Sequence, residues 1–169
     1  MKGVIFVDAE RCMGCRNCEL ACAVAHSESK DLIEAMRESP HPVARIEVKK
    51  LGGLSVPLHC RHCDSPLCVS VCPTGAIIKT GLGGPVVIKN ELCVGCGFCM
   101  LVCPYGVPQL KRDGKIMVKC DLCFERLERG MEPACVEACP THALKFKTLD
   151  EIEGEVRERA SLLFRSPYS

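Results

Sequence analysis

The chain has no tryptophan, 4% aromatic residues and no long apolar run among its 169 residues. The first scarcity excludes a core built on stacked rings and leaves burial to Val, Ile, Leu and Ala. The absence of a long apolar run excludes a membrane-spanning helix, which needs about 18 or more consecutive apolar residues. Neither charge dominates: 22 Lys and Arg stand against 21 Asp and Glu, a formal net charge of +1. Nucleic-acid binding therefore has no electrostatic basis, and the local run of Lys111, Arg112, Lys115 and Lys119 reads as solvated surface or as a contact for an acidic rim. The sequence holds no P-loop, no G-x-G-x-x-G fingerprint and no nucleophile with a matching base, so it offers no substrate or nucleotide site. The opening MKGVIFVDAE has a lysine and then an aspartate where an export signal would have its apolar stretch and cleavage site. That predicts a reducing, cytoplasmic setting, with export alongside a signal-bearing partner as the other route.

What the chain does have is cysteine: sixteen, in four groups of four. The groups are Cys12, Cys15, Cys18, Cys22; Cys60, Cys63, Cys68, Cys72; Cys93, Cys96, Cys99, Cys103; and Cys120, Cys123, Cys135, Cys139. The first and third are C-x2-C-x2-C-x3-C runs, the spacing that holds [4Fe–4S] clusters. The second and fourth keep the opening C-x2-C and the closing C-x3-C but lengthen the middle gap. Three closing cysteines precede proline, in Cys72-Pro73, Cys103-Pro104 and Cys139-Pro140. Sixteen thiolates at four per cubane predict four [4Fe–4S] clusters. A zinc-binding structural scaffold is the reading from a different class, since C-x2-C knuckles also bind zinc. Zinc gives no reason for a third cysteine two residues on or for the proline after the fourth. An oxidised cubane with four thiolates carries about −2, so four turn a weakly basic chain into a particle of about −7. Clusters of this number form part of the core, and the metal-free chain is expected to be largely unfolded.

The expected fold class is α+β. Val4–Val7 reads as a strand into the first group. From Ala23 to His59 runs an insertion that is helical or irregular through Ser39, is broken by Pro40 and Pro42, and alternates like a strand from Val43 to Lys50. Ala76–Lys79 and Pro85–Lys89 flank a glycine loop as a hairpin. A weaker hairpin joins Val107–Lys111 to Lys115–Lys119 through Asp113-Gly114. Thr148 to Glu151 is a capping-box pattern opening a helix from about Leu149 to Phe164, with Leu149, Ile152, Val156 and Leu163 on one face. The expectation is that this helix closes the fold.

Three cysteines of one group can grip one cubane, because three residues span at most about 10 Å. The fourth, a C-x3-C step away, ligates the neighbouring cluster in two-cluster ferredoxins, so groups work in pairs. The glycine-rich hairpin between Cys72 and Cys93 favours joining the second group to the third, which leaves the first with the fourth. The rival scheme pairs first with second and third with fourth.

The runs CMGCRNCELAC, CRHCDSPLCVSVCPTGAI, CVGCGFCMLVCPYG and CDLCFERLERGMEPACVEACPTHAL resemble the four-cluster, ferredoxin-like electron-transfer subunits of anaerobic oxidoreductases. These include small subunits of molybdopterin enzymes, formate-linked hydrogenase proteins and the iron–sulfur subunit of carbon monoxide dehydrogenase. The resemblance spans Val4 to about Lys147, and it implies the nested pairing. Cluster 1 would then take Cys12, Cys15, Cys18 and Cys139, and cluster 2 Cys120, Cys123, Cys135 and Cys22. Cluster 3 would take Cys60, Cys63, Cys68 and Cys103, and cluster 4 Cys93, Cys96, Cys99 and Cys72. It further implies one ferredoxin-like module of residues 1–59 and 104–147, a second of residues 60–103, and a C-terminal helix and tail at 148–169. Ala23 departs from the usual proline after a closing cysteine, which fits a chain that continues there as helix.

Within the ligand loops Gly14, Gly95 and Gly97 are expected at positive φ, and Val94, Phe98, Leu67 and Val69 are expected to shield clusters from water. With every quartet complete, His59 and His62 read as surface residues or as neighbours of the ligands, and so do His26, His41 and His142. The function implied is transfer of single electrons, with no catalysis by the chain itself. CELACAVAHS, CRHC and the short length lean toward carbon monoxide dehydrogenase as catalytic partner, with a hydrogenase or a flavin-containing NAD(P) reductase as acceptor. A tungsten or molybdenum pterin enzyme acting on aldehyde or formate is the second choice of partner. End-to-end stacking into a homo-oligomer is also compatible with such a wire.

Overall fold

The computed structural model describes residues 3–111 and 113–163. Within them the chain forms an α+β fold of short elements joined by cysteine loops. Strand β1 is Val4–Val7, and helix α1 is Asn17–Ala25. Helix α2 is Leu32–Ala35, followed by strands β2, Glu47–Leu51, and β3, Leu54–Leu58. Then come α3, Leu67–Ser70; β4, Ile77–Lys79; β5, Val86–Ile88; and α4, Phe98–Leu101. The last third holds β6, Gln109–Leu110; β7, Met117–Val118; α5, Phe124–Glu128; α6, Ala134–Glu137; β8, Leu144–Lys147; and α7, Leu149–Leu163.

The strands pair into four antiparallel ribbons, β1 with β8, β2 with β3, β4 with β5 and β6 with β7. The β4–β5 and β6–β7 hairpins stand where their glycine turns predict them. The β1–β8 ribbon is long-range: Val4 pairs with Lys147 and Val7 with Leu144, so the chain's first and last strands close on each other. Strand β2 begins at Glu47, later than the alternating pattern from Val43, and its partner β3 has no strong signal because Pro57 interrupts it. Ala23 lies inside α1, which runs on to Ala25 as a helix would without the proline.

Two cores result. The first gathers Ile5, Ile46, Val48, Leu122, Val136 and Leu144 around Cys18, Cys22, Cys120 and Cys135. The second gathers Ile77, Val86 and Met117 around Cys99, with Cys68, Cys72 and Cys93 packed against it. Cys60 borders the first core and Met117 belongs to the second, so the chain threads between them twice. Helix α7 starts as its capping box predicts: Thr148 N–H donates to Glu151 at 2.7 Å and Glu151 N–H to Thr148 Oγ1 at 3.3 Å. It does not close the core, however. Leu149, Val156 and Leu162 are exposed, and the links to the body are polar, from Glu155 to Lys147 and from Arg159 to Glu10 at 2.6 Å. Phe164 and the side chain of Leu163 lie outside the described residues.

Candidate electron-transfer centres

The four cysteine loops share one backbone device. The residue before the second cysteine takes positive φ in each: Gly14 at 74°, His62 at 49°, Gly95 at 68° and Leu122 at 63°. This left-handed residue reverses the chain so that the two flanking cysteines face the same side. Gly14 and Gly95 were expected at positive φ, as was Gly97, which follows Cys96 at φ 78°; His62 and Leu122 were not, because neither carries glycine's signature. Gly95 is also sterically required, since a Cβ would lie 2.7 Å from the Lys115 carbonyl oxygen.

The closing cysteines share a second device. Cys72-Pro73-Thr74-Gly75-Ala76-Ile77 and Cys139-Pro140-Thr141-His142-Ala143-Leu144 run in parallel, with Gly75 at φ 63° and His142 at φ 50°. Burial alone would raise both thiols. The Ile77 N–H, the Thr74 hydroxyl and the N–H groups of Thr74 and Ala76 at Cys72, and the Leu144 N–H, the Thr141 hydroxyl and the N–H groups of Ala143 and Thr141 at Cys139, outweigh it and lower them. Deeper thiols go the other way: burial pushes Cys18 and Cys99 to about 11 and Cys22 to about 12, and raises Cys120 and Cys135 further. Such thiols remain protonated until a metal displaces the proton.

All sixteen cysteines are free thiols. Cys12, Cys15, Cys18 and Cys139 line one small cavity with Val48, Pro57 and Leu144. Cys135 has the thiols of Cys120, Cys22 and Cys123 nearest in its surroundings, and after them Cys18. Cys68 has Cys60, Cys103 and Cys63. Cys99 has Cys68, Cys93 and Cys96, and shares its core with Cys72. The sets divide between the two cores: Cys18, Cys22, Cys120 and Cys135 share the first, Cys60 borders it, and Cys68 packs with Cys99, Cys93 and Cys72 in the second. Only Cys15 and Cys96 are exposed.

Three backbone N–H groups also donate to ligand-type sulfurs: Arg45 to Cys22 at 3.2 Å, Met117 to Cys93 at 3.3 Å and His62 to Cys60 at 3.4 Å. His59 and His62, expected at the surface or beside ligands, are 2% and 7% exposed. The Val86 N–H donates to His62 Nδ1 at 3.0 Å, which leaves the ring proton on Nε2, and that atom is buried without a partner. His59 Nε2 is also unpartnered but in the opposite tautomer: its Nδ1–H donates to the Cys60 carbonyl oxygen at 2.9 Å, so Nε2 is a bare acceptor. Burial first, then the charge of Arg61, lowers His59 to about 4; burial and then Lys119 lower His62 to about 3. A buried His62 Nε2–H wanting an acceptor, beside thiols grouped in fours, fits a cubane whose sulfurs accept hydrogen bonds. Bound there, the clusters supply one-electron storage and relay.

A polar anchor stands behind Cys22. Asp121 accepts from His26 at 3.0 Å, from the Cys123 N–H at 2.9 Å and from Arg45. Burial would raise its carboxyl, but His26, Arg45 and the Cys123 N–H hold it well below the usual carboxylate range. His26 Nδ1 also lies 2.7 Å from the Cys22 carbonyl oxygen, so the insertion is tied to α1 and to the fourth cysteine group through one carboxylate. This cluster had no sequence signal, because its members are 76 to 95 residues apart. Of the four side chains expected beside the clusters, only Val69 packs against a protein core, while Val94, Phe98 and Leu67 are exposed, Val94 at 65%. Lys119 is not on a solvated basic stretch but buried, and Arg112 lies outside the described residues.

Comparison with known proteins gives the same picture. The profile of the 4Fe-4S dicluster domain matches residues 52–149, and that of a 4Fe-4S binding domain matches residues 9–25. The chain belongs to the 4Fe-4S dicluster family. Among its relatives, the B subunit of the anaerobic dimethyl sulfoxide reductase of Escherichia coli (strain K12) is 38% identical over 93% of this chain and 78% of its own length. The electron transport protein HydN of the same organism is 38% identical over 97% of this chain and all of its own. An iron-sulfur protein of Rhodospirillum rubrum is 38% identical over 92% and 87%. As a member of this family the chain is an electron-transfer iron–sulfur subunit that carries four [4Fe–4S] clusters and no catalytic site.

Proposed function

We propose that the chain passes single electrons through its four clusters in the order 1, 2, 3, 4, between a catalytic oxidoreductase at one end and an acceptor at the other. The ligand sets are the nested ones: Cys12, Cys15, Cys18, Cys139; Cys120, Cys123, Cys135, Cys22; Cys60, Cys63, Cys68, Cys103; and Cys93, Cys96, Cys99, Cys72. The observation that carries this reading is the distribution of the thiols, Cys18, Cys22, Cys120 and Cys135 in the first core, Cys60 at its border and Cys68 with Cys99 in the second, with one exposed cysteine at each extreme, Cys15 in the first set and Cys96 in the last. Exposed apolar residues stand beside both ends, Met13 next to Cys15 and Val94 and Phe98 next to Cys96, and partner subunits would cover them. The two modules are residues 1–59 with 104–147, and 60–103, with the tail at 148–169.

Carbon monoxide dehydrogenase is proposed as the catalytic partner on the resemblance in CELACAVAHS and CRHC, with a hydrogenase or flavin-containing NAD(P) reductase as acceptor. A pterin-dependent oxidoreductase is the second reading, and the relatives named as subunits of dimethyl sulfoxide reductases favour it. A cytoplasmic location agrees with the sequence, and no described helix is long and apolar enough to cross a membrane. An anaerobic native pull-down with metal analysis tests the partner. A nickel–iron–sulfur enzyme supports the first reading, a tungsten or molybdenum enzyme the second, and recovery of the chain with zinc and no acid-labile sulfide would sink both.

A further inference from the structure

Lys119 is 3% exposed and is the one lysine or arginine among the described residues that is fully buried. It follows β7 and precedes Cys120. Its Nζ donates to the carbonyl oxygen of Cys120 at 3.0 Å and to that of Val86. Val86 belongs to the second core and Cys120 to the first, so the ammonium spans the seam between them. Cys60 packs against the same first core that holds Cys120.

A buried ammonium requires opposite charge nearby, because carbonyl hydrogen bonds do not neutralise it. Lys79, on the same side of the second module, has Asp64 at 3.4 Å. Lys119 forms no ion pair with any carboxylate among the described residues. With clusters bound, the negative charge facing it would be that of the cysteine sets flanking the seam, whose Cys120 carbonyl it holds.

We propose that Lys119 is the electrostatic bridge of the relay, its ammonium balancing the negative charge of the two inner sets, Cys22 with Cys120, Cys123 and Cys135, and Cys60, Cys63 and Cys68 with Cys103. The inference rests on the ligand sets proposed above. Each transfer moves one electron across the seam, adding one negative charge on one side and removing it from the other; no bond forms or breaks and no proton is needed. A cation held by two carbonyls between the sites favours the reduced state on both sides without reorganising. Lys119 is thus a positioning charge, acting on potential and touching no substrate.

The test is a redox titration of the iron-loaded protein with dithionite, followed by electron paramagnetic resonance, on wild type, Lys119→Met, Lys119→Gln and Lys119→Arg. In Lys119→Met the reduced-to-oxidised ratio of two of the four clusters at fixed potential falls about tenfold, a downward shift of about 59 mV for a one-electron couple. The other two stay in place, Lys119→Gln behaves like Lys119→Met, and Lys119→Arg restores wild-type values. If the neutral variants instead load only two clusters while Lys119→Arg loads four, the inner sets depend on this charge and the proposal stands. Unshifted potentials in a fully loaded neutral variant, equal shifts of all four clusters, loss of all four, or an arginine variant shifted like methionine would each overturn it. Wild type with other than four cubanes would refute the underlying cluster reading instead, so the two failures are distinguishable.

Discussion

Replacing Asp121 with asparagine removes the carboxylate that ties the insertion to the second cluster site. Three donors converge on it: His26, the Cys123 N–H and the Arg45 guanidinium. Asparagine can keep the Cys123 bond but cannot neutralise Arg45, and its amide hydrogens would face the guanidinium. Breaking a fully buried pair costs about 3–5 kcal/mol. Here the side chains of Arg45 and Asp121 are 20% and 27% exposed, so water recovers part of it and about 2–3 kcal/mol remains. That is roughly 30- to 150-fold in the equilibrium for opening this corner around Cys22. Capture of iron by an excess of strong chelator under anaerobic conditions reads that opening when reclosing is fast. Asp121→Asn should therefore release iron at least about 30-fold faster than wild type, and Arg45→Met added to it should cost little more, because the two share one interaction. The carboxyl sits below its ordinary value when folded, so its contribution is present above about pH 4 and is lost as pH falls through the lower folded value. Wild type and variant should then converge in acid. Release rates within about threefold of each other at neutral pH would refute the anchor.

Gly95 and Gly97 separate two causes. Gly97→Ala meets open space and should cost only the left-handed backbone, about 1–2 kcal/mol, whereas Gly95→Ala adds a 2.7 Å contact with the Lys115 carbonyl and should melt distinctly lower; equal melting points would contradict the close approach. Leu144→Ala opens a cavity where the β1–β8 ribbon meets the first core, and should cost about 2–5 kcal/mol in thermal unfolding of the loaded protein. A loss under about 1 kcal/mol would show that this core does not depend on it. Stripping the iron should abolish amide protection throughout, since six of the buried core side chains are cysteines; persistent protection of Ile5 and Val7 in the metal-free chain would count against that.

Much of the chemistry was legible in the chain because it is local. A C-x2-C step places two sulfurs within reach of one cubane whatever surrounds it, so the fourfold grouping of sixteen cysteines that fits four clusters is read from spacing, and the two glycine-turn hairpins from their turn residues. The capping box at Thr148 was legible for the same reason: its donors and acceptors lie within one helical turn. Left-handed His62 and Leu122 were hidden, since only the geometry of the repeated loop demands that conformation from residues that do not advertise it.

What tertiary structure decided is everything that depends on distant segments meeting. Strand β8 exists because Leu144–Lys147 finds β1, and Asp121 matters because an insertion some 76 residues earlier in the chain folds back onto it. Lys119 reads as one more surface lysine until the two cores close around it. Ligand identity is a matter of spacing along the chain; which charge stands between the ligand sets, and which thiols reach the surface, depends on how the two cores pack.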